Sequence, residues 1–272
     1  MLALIAGEGQ LPVHLANRCA SEGRALQVCE MEGFPSSLSY VDGVIRFRIE
    51  QLGSFFNDLR RKGVKEVVFA GAVRRPRLDP RAIDTATQPF LPRMLQAIQA
   101  GDDAALRIVL ELFQEHGFRV VAVHDILPDL LPQPGPISAR AANAREEKDA
   151  RRGARVLDIM SGADVGQAVV VSAGQVVAVE AAPGTDWMLG ALRSVGLPPG
   201  VPDGGTLVKA PKRGQDRRID LPMIGPMTVA AAARAGLTAI AIEAGGVMVL
   251  DPEACRQKAE AAGIALWVRE RS

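Results

Sequence analysis

Short apolar runs alternate with helical periodicity along the first half of the chain. Leu2-Ala3-Leu4-Ile5-Ala6 reads as a buried strand ending at Gly7, and a helix is expected over residues 12–22, stopped by Gly23. Residues 26–29 form a second strand and 44–47 a third. Residues 51–62 are amphipathic and end at Gly63, a residue suited to the left-handed position that closes a helix. A strand over 66–70 ends at Gly71, a helix over 102–116 stops at Gly117, and 119–123 make the last strand of this half. Strands that are apolar throughout and separated by helices predict a parallel sheet covered on both faces. The expected fold is α/β: a Rossmann-like, doubly wound domain with its ligand at the carboxyl ends of the strands. Those ends are Gly7-Glu8-Gly9, Gly71-Ala72-Val73-Arg74-Arg75 and His124-Asp125.

The second half follows a different pattern. Residues 128–138 read PDLLPQPGPIS, with prolines that oppose helix and weaken strand. A linker at 132–138 therefore divides domain 1–131 from domain 139–272, the alternative being a long surface loop. A charged helix is expected over 144–160. The apolar runs 167–171 and 175–179, joined by Ser172-Ala173-Gly174, read as a hairpin. A strand covers 206–209 and an alanine-rich helix 228–235. Runs 239–243 and 247–250 flank Ala244-Gly245-Gly246 and read as a second hairpin, followed by a helix over 253–262 and a strand over 264–268. Hairpins mixed with helices predict an α+β domain on a mixed sheet.

Composition narrows the partners. The 272 residues are 48% hydrophobic, enough for a sizeable core. A formal charge of +1 gives no reason to expect nucleic acid, and 4% aromatics do not supply stacking platforms for single strands. Cys19, Cys29 and Cys255 include no CxxC pair, which fits a reducing cytosol. His14, His116 and His124 do not have zinc spacing. The N-terminus lacks a basic leader, and no run reaches the ~18 apolar residues of a membrane span. These features predict a cytoplasmic protein.

Several segments carry candidate chemistry. Gly7-Glu8-Gly9 allows close backbone approach and leads into a helix N-terminus, but Pro12 stands where a third glycine would complete a dinucleotide fingerprint. The arginines of Gly71-Ala72-Val73-Arg74-Arg75-Pro76 suit phosphate, or else form a solvated turn. Asp125 either reaches a ribose hydroxyl or metal, or caps a helix. Thr185 or Asp186 caps the helix from Trp187, or that helix end holds a phosphate. Glu180 and Glu243 end apolar strands, and such carboxylates need partners, Lys209 or a metal among them. The richest segment runs from Lys209 to Pro226 and combines Lys212, Arg213, Gln215, Asp216, Arg217 and Asp220 with glycines and prolines. Cations that neutralise phosphate oxygens and carboxylates that hold Mg²⁺ or orient water are what phosphoryl chemistry needs. Asp220 has a competing role as a cap for the following helix. Asp216 has none, so the metal or water role falls first to Asp216.

These segments resemble the LpxI-type UDP-2,3-diacylglucosamine pyrophosphatases of lipid A biosynthesis. The resemblance is carried by Ile5-Ala6-Gly7-Glu8-Gly9-Gln10-Leu11-Pro12, Ala70-Gly71-Ala72-Val73-Arg74-Arg75-Pro76, Gly101-Asp102-Asp103 and His124-Asp125-Ile126-Leu127-Pro128-Asp129. It continues through Asp164-Val165-Gly166-Gln167-Ala168, Val179-Glu180-Ala181, Gly184-Thr185-Asp186 and the loop from Gly214 to Pro226. It implies a two-domain enzyme holding its substrate between the domains, and the proline-rich stretch 128–138 is expected to serve as the hinge. It also implies a Mg²⁺-dependent hydrolysis giving UMP and 2,3-diacylglucosamine 1-phosphate, in a Gram-negative cytoplasm. An essential aspartate is implied within 215–220. Asp216 and Asp220 are thus the candidate catalytic and metal-binding pair. Gly7, Glu8, Gly9, Gly71, Arg74, Asp125, Thr185, Lys209, Lys212, Gln215 and Arg217 are candidates for substrate binding. The partners expected are a lipid-linked UDP-sugar and no nucleic acid, with room for peripheral inner-membrane contact and a homo-oligomer. Residues 89–95 either face acyl chains or fill the core. The competing readings are a non-catalytic nucleotide-sugar-binding protein and a glycosyltransferase acting on UDP-sugars.

Overall fold

The computed structural model describes residues 1–73, 76–99 and 102–271. The chain forms two compact units, Met1–Pro128 with Asp216–Ile219, and Asp129–Gln215 with Asp220–Ser272.

The first unit alternates strand and helix: β1 (Leu2–Ala6), α1 (Leu11–Ser21), β2 (Leu26–Met31), β3 (Ile45–Phe47), α2 (Leu52–Arg61), β4 (Glu66–Ala70), α3 (Leu91–Gln99), α4 (Asp102–Glu115), β5 (Arg119–Val120) and α5 (Val123–Ile126). Its sheet has the order β3-β2-β1-β4-β5, and all neighbours run parallel. This is the doubly wound arrangement expected, and its order reverses between β1 and β4. Ala3, Ile5, Cys29 and Val67 meet α2 and α4 across an aromatic core built on Phe55, Phe56 and Phe113. Leu11, Leu15 and Cys19 are the buried stripe of α1, which packs against β2 and α5. Within this unit Ile219 also packs against the aromatic core.

One local expectation changes, and one helix is new. The strand expected over 119–123 ends at Val120, because the Asp125 carboxylate accepts from the Ala122 amide at 3.1 Å and the chain turns into α5. Helix α3 (Leu91–Gln99) is an element that the sequence pattern did not announce. Pro92 fits because it lies in the first turn, where backbone amides lack helical acceptors. In this stretch Phe90 and Met94 turn to the core, whereas Leu95 is exposed.

The second unit contains β6 (Gly135–Pro136), α6 (Ala144–Met160), β7 (Ala168–Ser172), β8 (Gln175–Val179), α7 (Thr185–Val195), β9 (Thr206–Lys209), β10 (Met223–Ile224), α8 (Pro226–Arg234), β11 (Ala239–Glu243), β12 (Met248–Val249), α9 (Pro252–Ala261) and β13 (Ala265–Arg269). Its main sheet is mixed, in the order β6-β13-β11-β9-β7-β8, with β9, β11 and β13 parallel. One face packs on Met188, Leu189, Leu192, Val229, Ala232, Cys255 and Ala259 from α7, α8 and α9. The other packs on Ala150 and Leu157 of α6. Gly153 lets α6 lie close, since a Cβ there would stand 2.5 Å from a Val208 methyl. Asn143 and Glu146 close the start of α6 with a reciprocal capping box.

The β7–β8 hairpin forms as expected. Ala173 and Gly174 both have positive φ, the conformation of a type I′ turn. A positive φ is costly for alanine, and buried Asp149 offsets it by accepting from the Ala173 and Gly174 amides at 3.0 and 2.7 Å. The second expected hairpin does not form. Both edges of β11 are taken, by β9 and β13, so no edge is open to an antiparallel partner. The chain beyond Gly246 instead pairs as β12 in parallel with β10. Within the proline-rich stretch, Gly135–Pro136 is the edge strand β6, a position where proline's missing amide is tolerated. No helix among the described residues is long and apolar enough to cross a membrane.

Candidate active site

The first unit gathers its glycine loops at the switch point of the sheet, where ligands of such folds bind. The segments after β1 and β4 hold each other. Glu8 donates its amide to the Ala72 carbonyl at 2.8 Å, and Ala72 returns one to Glu8 at 3.0 Å. A Cβ on Gly7 would lie 2.4 Å from the Ala72 oxygen, and Gly71 takes φ +91° with the Glu8 oxygen 2.7 Å from its own Cβ position. Gly7 and Gly71 are therefore required by loop-on-loop packing. The start of α1 beyond Gly9 carries no side-chain cap. Arg74 and Arg75 lie outside the described residues. Asp125 takes the capping role that the sequence allowed it.

A carboxylate that sequence reading passed over lies next to the end of β2. Glu30 stands where dinucleotide-binding folds place the acid that reads a ribose. Here it is buried and turned inward. It accepts from the Ser36 amide at 3.1 Å, Ser36 Oγ at 3.2 Å, Ser39 Oγ at 2.7 Å and Arg46 Nε at 2.9 Å. It organises its own loop instead of offering its oxygens to a ligand.

In the second unit the carboxyl edge of the parallel strands is charged. Lys209 closes β9, Glu243 β11 and Arg269 β13, and Glu180 follows β8 on the same edge. Buried Lys209 donates from Nζ to Thr185 Oγ1 at 2.6 Å, and that hydroxyl donates to Glu180 Oε2 at 2.9 Å. Lys209 Nζ stands 4.0 Å from the same carboxylate oxygen. Burial pushes the ammonium below the ordinary lysine range, against the pull of Glu180, Asp186 and Asp220. Glu243 takes Arg269 at 4.0 Å and Arg271 at 3.8 Å as its cations.

The charged loop is well ordered by its own contacts. Gln215 accepts the Lys212 amide at 3.0 Å and donates its side-chain amide to Asp220 Oδ2. Lys212 pairs with Asp164, and Arg213 pairs with both oxygens of Asp158. Asp216 accepts from the Arg218 amide at 3.0 Å, and the Arg218 guanidinium spans both carboxylate oxygens at 2.6 to 3.2 Å. That guanidinium holds the Asp216 carboxyl below the usual carboxylate range. Asp216 falls within the first compact unit and Asp220 within the second.

The LpxI N-terminal domain model matches residues 1–130, and the LpxI C-terminal domain model matches residues 133–267. The chain belongs to the LpxI family. It is 37% identical over 270 residues to the UDP-2,3-diacylglucosamine pyrophosphatase LpxI of Caulobacter vibrioides, covering 97% of this chain and 95% of that protein.

Two expectations for this LpxI-family chain are corrected by side-chain geometry. Asp220 does not cap the following helix. Gly225 is the N-cap of α8, and its amide donates to Thr228 Oγ1 at 3.3 Å. Nor does Thr185 or Asp186 cap α7, which begins after Gly184 with no side-chain cap, while the Thr185 hydroxyl is committed to Lys209 and Glu180. The sequence named Glu180 as a strand-end carboxylate in need of a partner such as Lys209, and the two meet across the Thr185 hydroxyl.

Proposed function

We propose that this LpxI-family chain hydrolyses the pyrophosphate bond of UDP-2,3-diacylglucosamine to UMP and 2,3-diacylglucosamine 1-phosphate, at the cytoplasmic side of the inner membrane of a Gram-negative cell. The supporting observation is the match to a relative of that named activity across nearly the whole chain. The second-unit edge suits the chemistry, because a buried ammonium beside Asp220 places positive charge where phosphate oxygens need it and a carboxylate nearby to orient water.

Magnesium is part of this proposal. Mg²⁺ usually takes one or two protein carboxylates together with substrate phosphates, and Asp216 and Asp220 supply hard oxygen donors of that kind. Asp220 accepts from the Gln215 side-chain amide, and Asp216 would have to exchange the Arg218 guanidinium for the ion. When bound, the ion would neutralise phosphate charge. Lys209 binds and orients the diphosphate, and Asp220 aligns a water for attack on phosphorus. Product analysis tests the reaction: UMP marks pyrophosphate cleavage, UDP marks glycosyl transfer, and unchanged ligand marks binding alone. Exhaustive chelation should abolish turnover and added Mg²⁺ restore it. Undiminished turnover in chelator would remove the metal from the mechanism.

Peripheral membrane contact is supported by the outer face of α7, where Trp187 is 63% and Val195 86% exposed. Beside it, Arg193, Leu197, Val201 and Arg234 line a cavity of ≈ 520 Å³. An exposed tryptophan at the start of α7 and arginines at its far end fit an anionic lipid surface. Vesicles containing phosphatidylglycerol should therefore sediment the protein. Replacing both arginines by glutamate should weaken this at least ~10-fold, since each cation near such a surface contributes about 1 kcal/mol. Equal sedimentation of the parent and the double variant would discount this face.

A further inference from the structure

Lys209 has an incomplete hydrogen-bond set. An ammonium carries three donors. Among the described residues Nζ makes one hydrogen bond, to Thr185 Oγ1 at 2.6 Å, while Glu180 Oε2 at 4.0 Å is beyond hydrogen-bond reach. The residue is only 7% exposed, so bulk solvent does not serve the other two donors. Buried polar hydrogens are nearly always matched by acceptors, and a buried ammonium with two to spare is arranged for an anion.

Proton direction along the chain of contacts follows from chemistry. Nζ can only donate, so Thr185 Oγ1 accepts from it, and the one hydroxyl proton goes to Glu180 Oε2 at 2.9 Å. Glu180 thus decides which way the Thr185 lone pairs point. Glu180 is itself fixed, because its amide donates to the Ala168 carbonyl at 2.9 Å and Gly166 lies flush against its carbonyl, where a Cβ would come within 2.1 Å. A purely structural ion pair would bring the ammonium into direct contact with the carboxylate. Thr185 is interposed instead, and it holds the ammonium back from Glu180. The other loop cations differ, since Lys212 and Arg213 are paired with Asp164 and Asp158.

We propose that Glu180 is a positioning residue which, through the Thr185 hydroxyl, aims the two remaining donors of Lys209 at the phosphate oxygens of a diphosphate. This deepens the hydrolase reading and rests on it for the identity of the substrate. The anion chemistry is tested separately, with inorganic pyrophosphate as probe.

Thr185→Val removes the hydroxyl at nearly constant volume, and Thr185→Ser keeps it. Glu180→Gln removes the charge, and Lys209→Met the cation. Losing one hydrogen bond to a charged group should lower kcat/KM about 10- to 100-fold in Thr185→Val, with Thr185→Ser recovering most of it. Glu180→Gln should fall between these two. Calorimetric binding of pyrophosphate should weaken by a similar factor in Thr185→Val and be lost in Lys209→Met. Parent-like kcat/KM and pyrophosphate affinity in Thr185→Val would overturn the proposal. So would a loss that Thr185→Ser does not recover and that tracks a fall in melting temperature. If the parent binds pyrophosphate through Lys209 and Thr185 yet releases no UMP, the anion corner stands and the hydrolase reading fails.

Discussion

Asp220→Asn should lower kcat by ~10²-fold or more, the usual effect of removing a group that orients water or a metal, with thermal stability close to the parent's. The sequence alone favoured Asp216 for this role, because Asp220 had an apparent alternative as a helix cap. The structure removes that alternative: Gly225 and Thr228 close the start of α8 without Asp220. The Asp220 carboxylate is held by the Gln215 side-chain amide, and its charge acts on buried Lys209. Asp216 is the carboxylate with a structural employment, spanned on both oxygens by Arg218. Asp216→Ala should accordingly show the smaller loss of kcat. Paired turnover and melting measurements on the two variants decide the matter. A fully active Asp220→Asn enzyme would return the chemistry to Asp216 and require its pairing with Arg218 to open during the reaction.

Phe56→Ala should destabilise the first unit by about 3–5 kcal/mol, the range for truncating a buried phenylalanine. The ring is fully buried, with Phe113 at 4.9 Å edge-on, His116 stacked at 4.6 Å and Phe118 at 5.7 Å between centroids. Phe113 comes from α4, and His116 and Phe118 from the turn that joins α4 to β5. The corresponding fall in melting temperature is ~10 °C or more for a unit of this size. Phe56→Leu, which leaves most of the volume filled, should cost well under half as much. A calorimetric loss below ~1 kcal/mol in Phe56→Ala would mean that the core relaxes into the cavity.

Much of the first unit was legible because its information is local. Each strand of the parallel sheet is a short apolar run, each crossover shows helical periodicity, and Gly7, Gly23, Gly63, Gly71 and Gly117 mark the ends. The β7–β8 hairpin was legible for the same reason, since Ser172-Ala173-Gly174 contains its turn. Candidate chemistry was legible as composition: a loop crowded with cations, carboxylates, glycines and prolines suits phosphate wherever its chain folds.

The tertiary structure decided what depends on competition for partners. The run 247–250 has the pattern of a returning strand, but β9 and β13 had already taken both edges of β11, so it pairs with β10. Asp220 and Thr185 have the spacing of caps, yet other groups reach the helix ends or make no cap at all, and both side chains turn elsewhere. Glu180, Thr185 and Lys209 are separated by 5 and 24 residues along the chain. No periodicity links them. They meet because β8 and β9 end on the same edge of one sheet while α7 starts beside it, and that juxtaposition creates a buried ammonium with donors to spare. Sequence pattern determines which elements form, since each depends on neighbours a few residues away. The site depends on which edge each element presents, and that is settled only when all the strands have competed for the same hydrogen bonds.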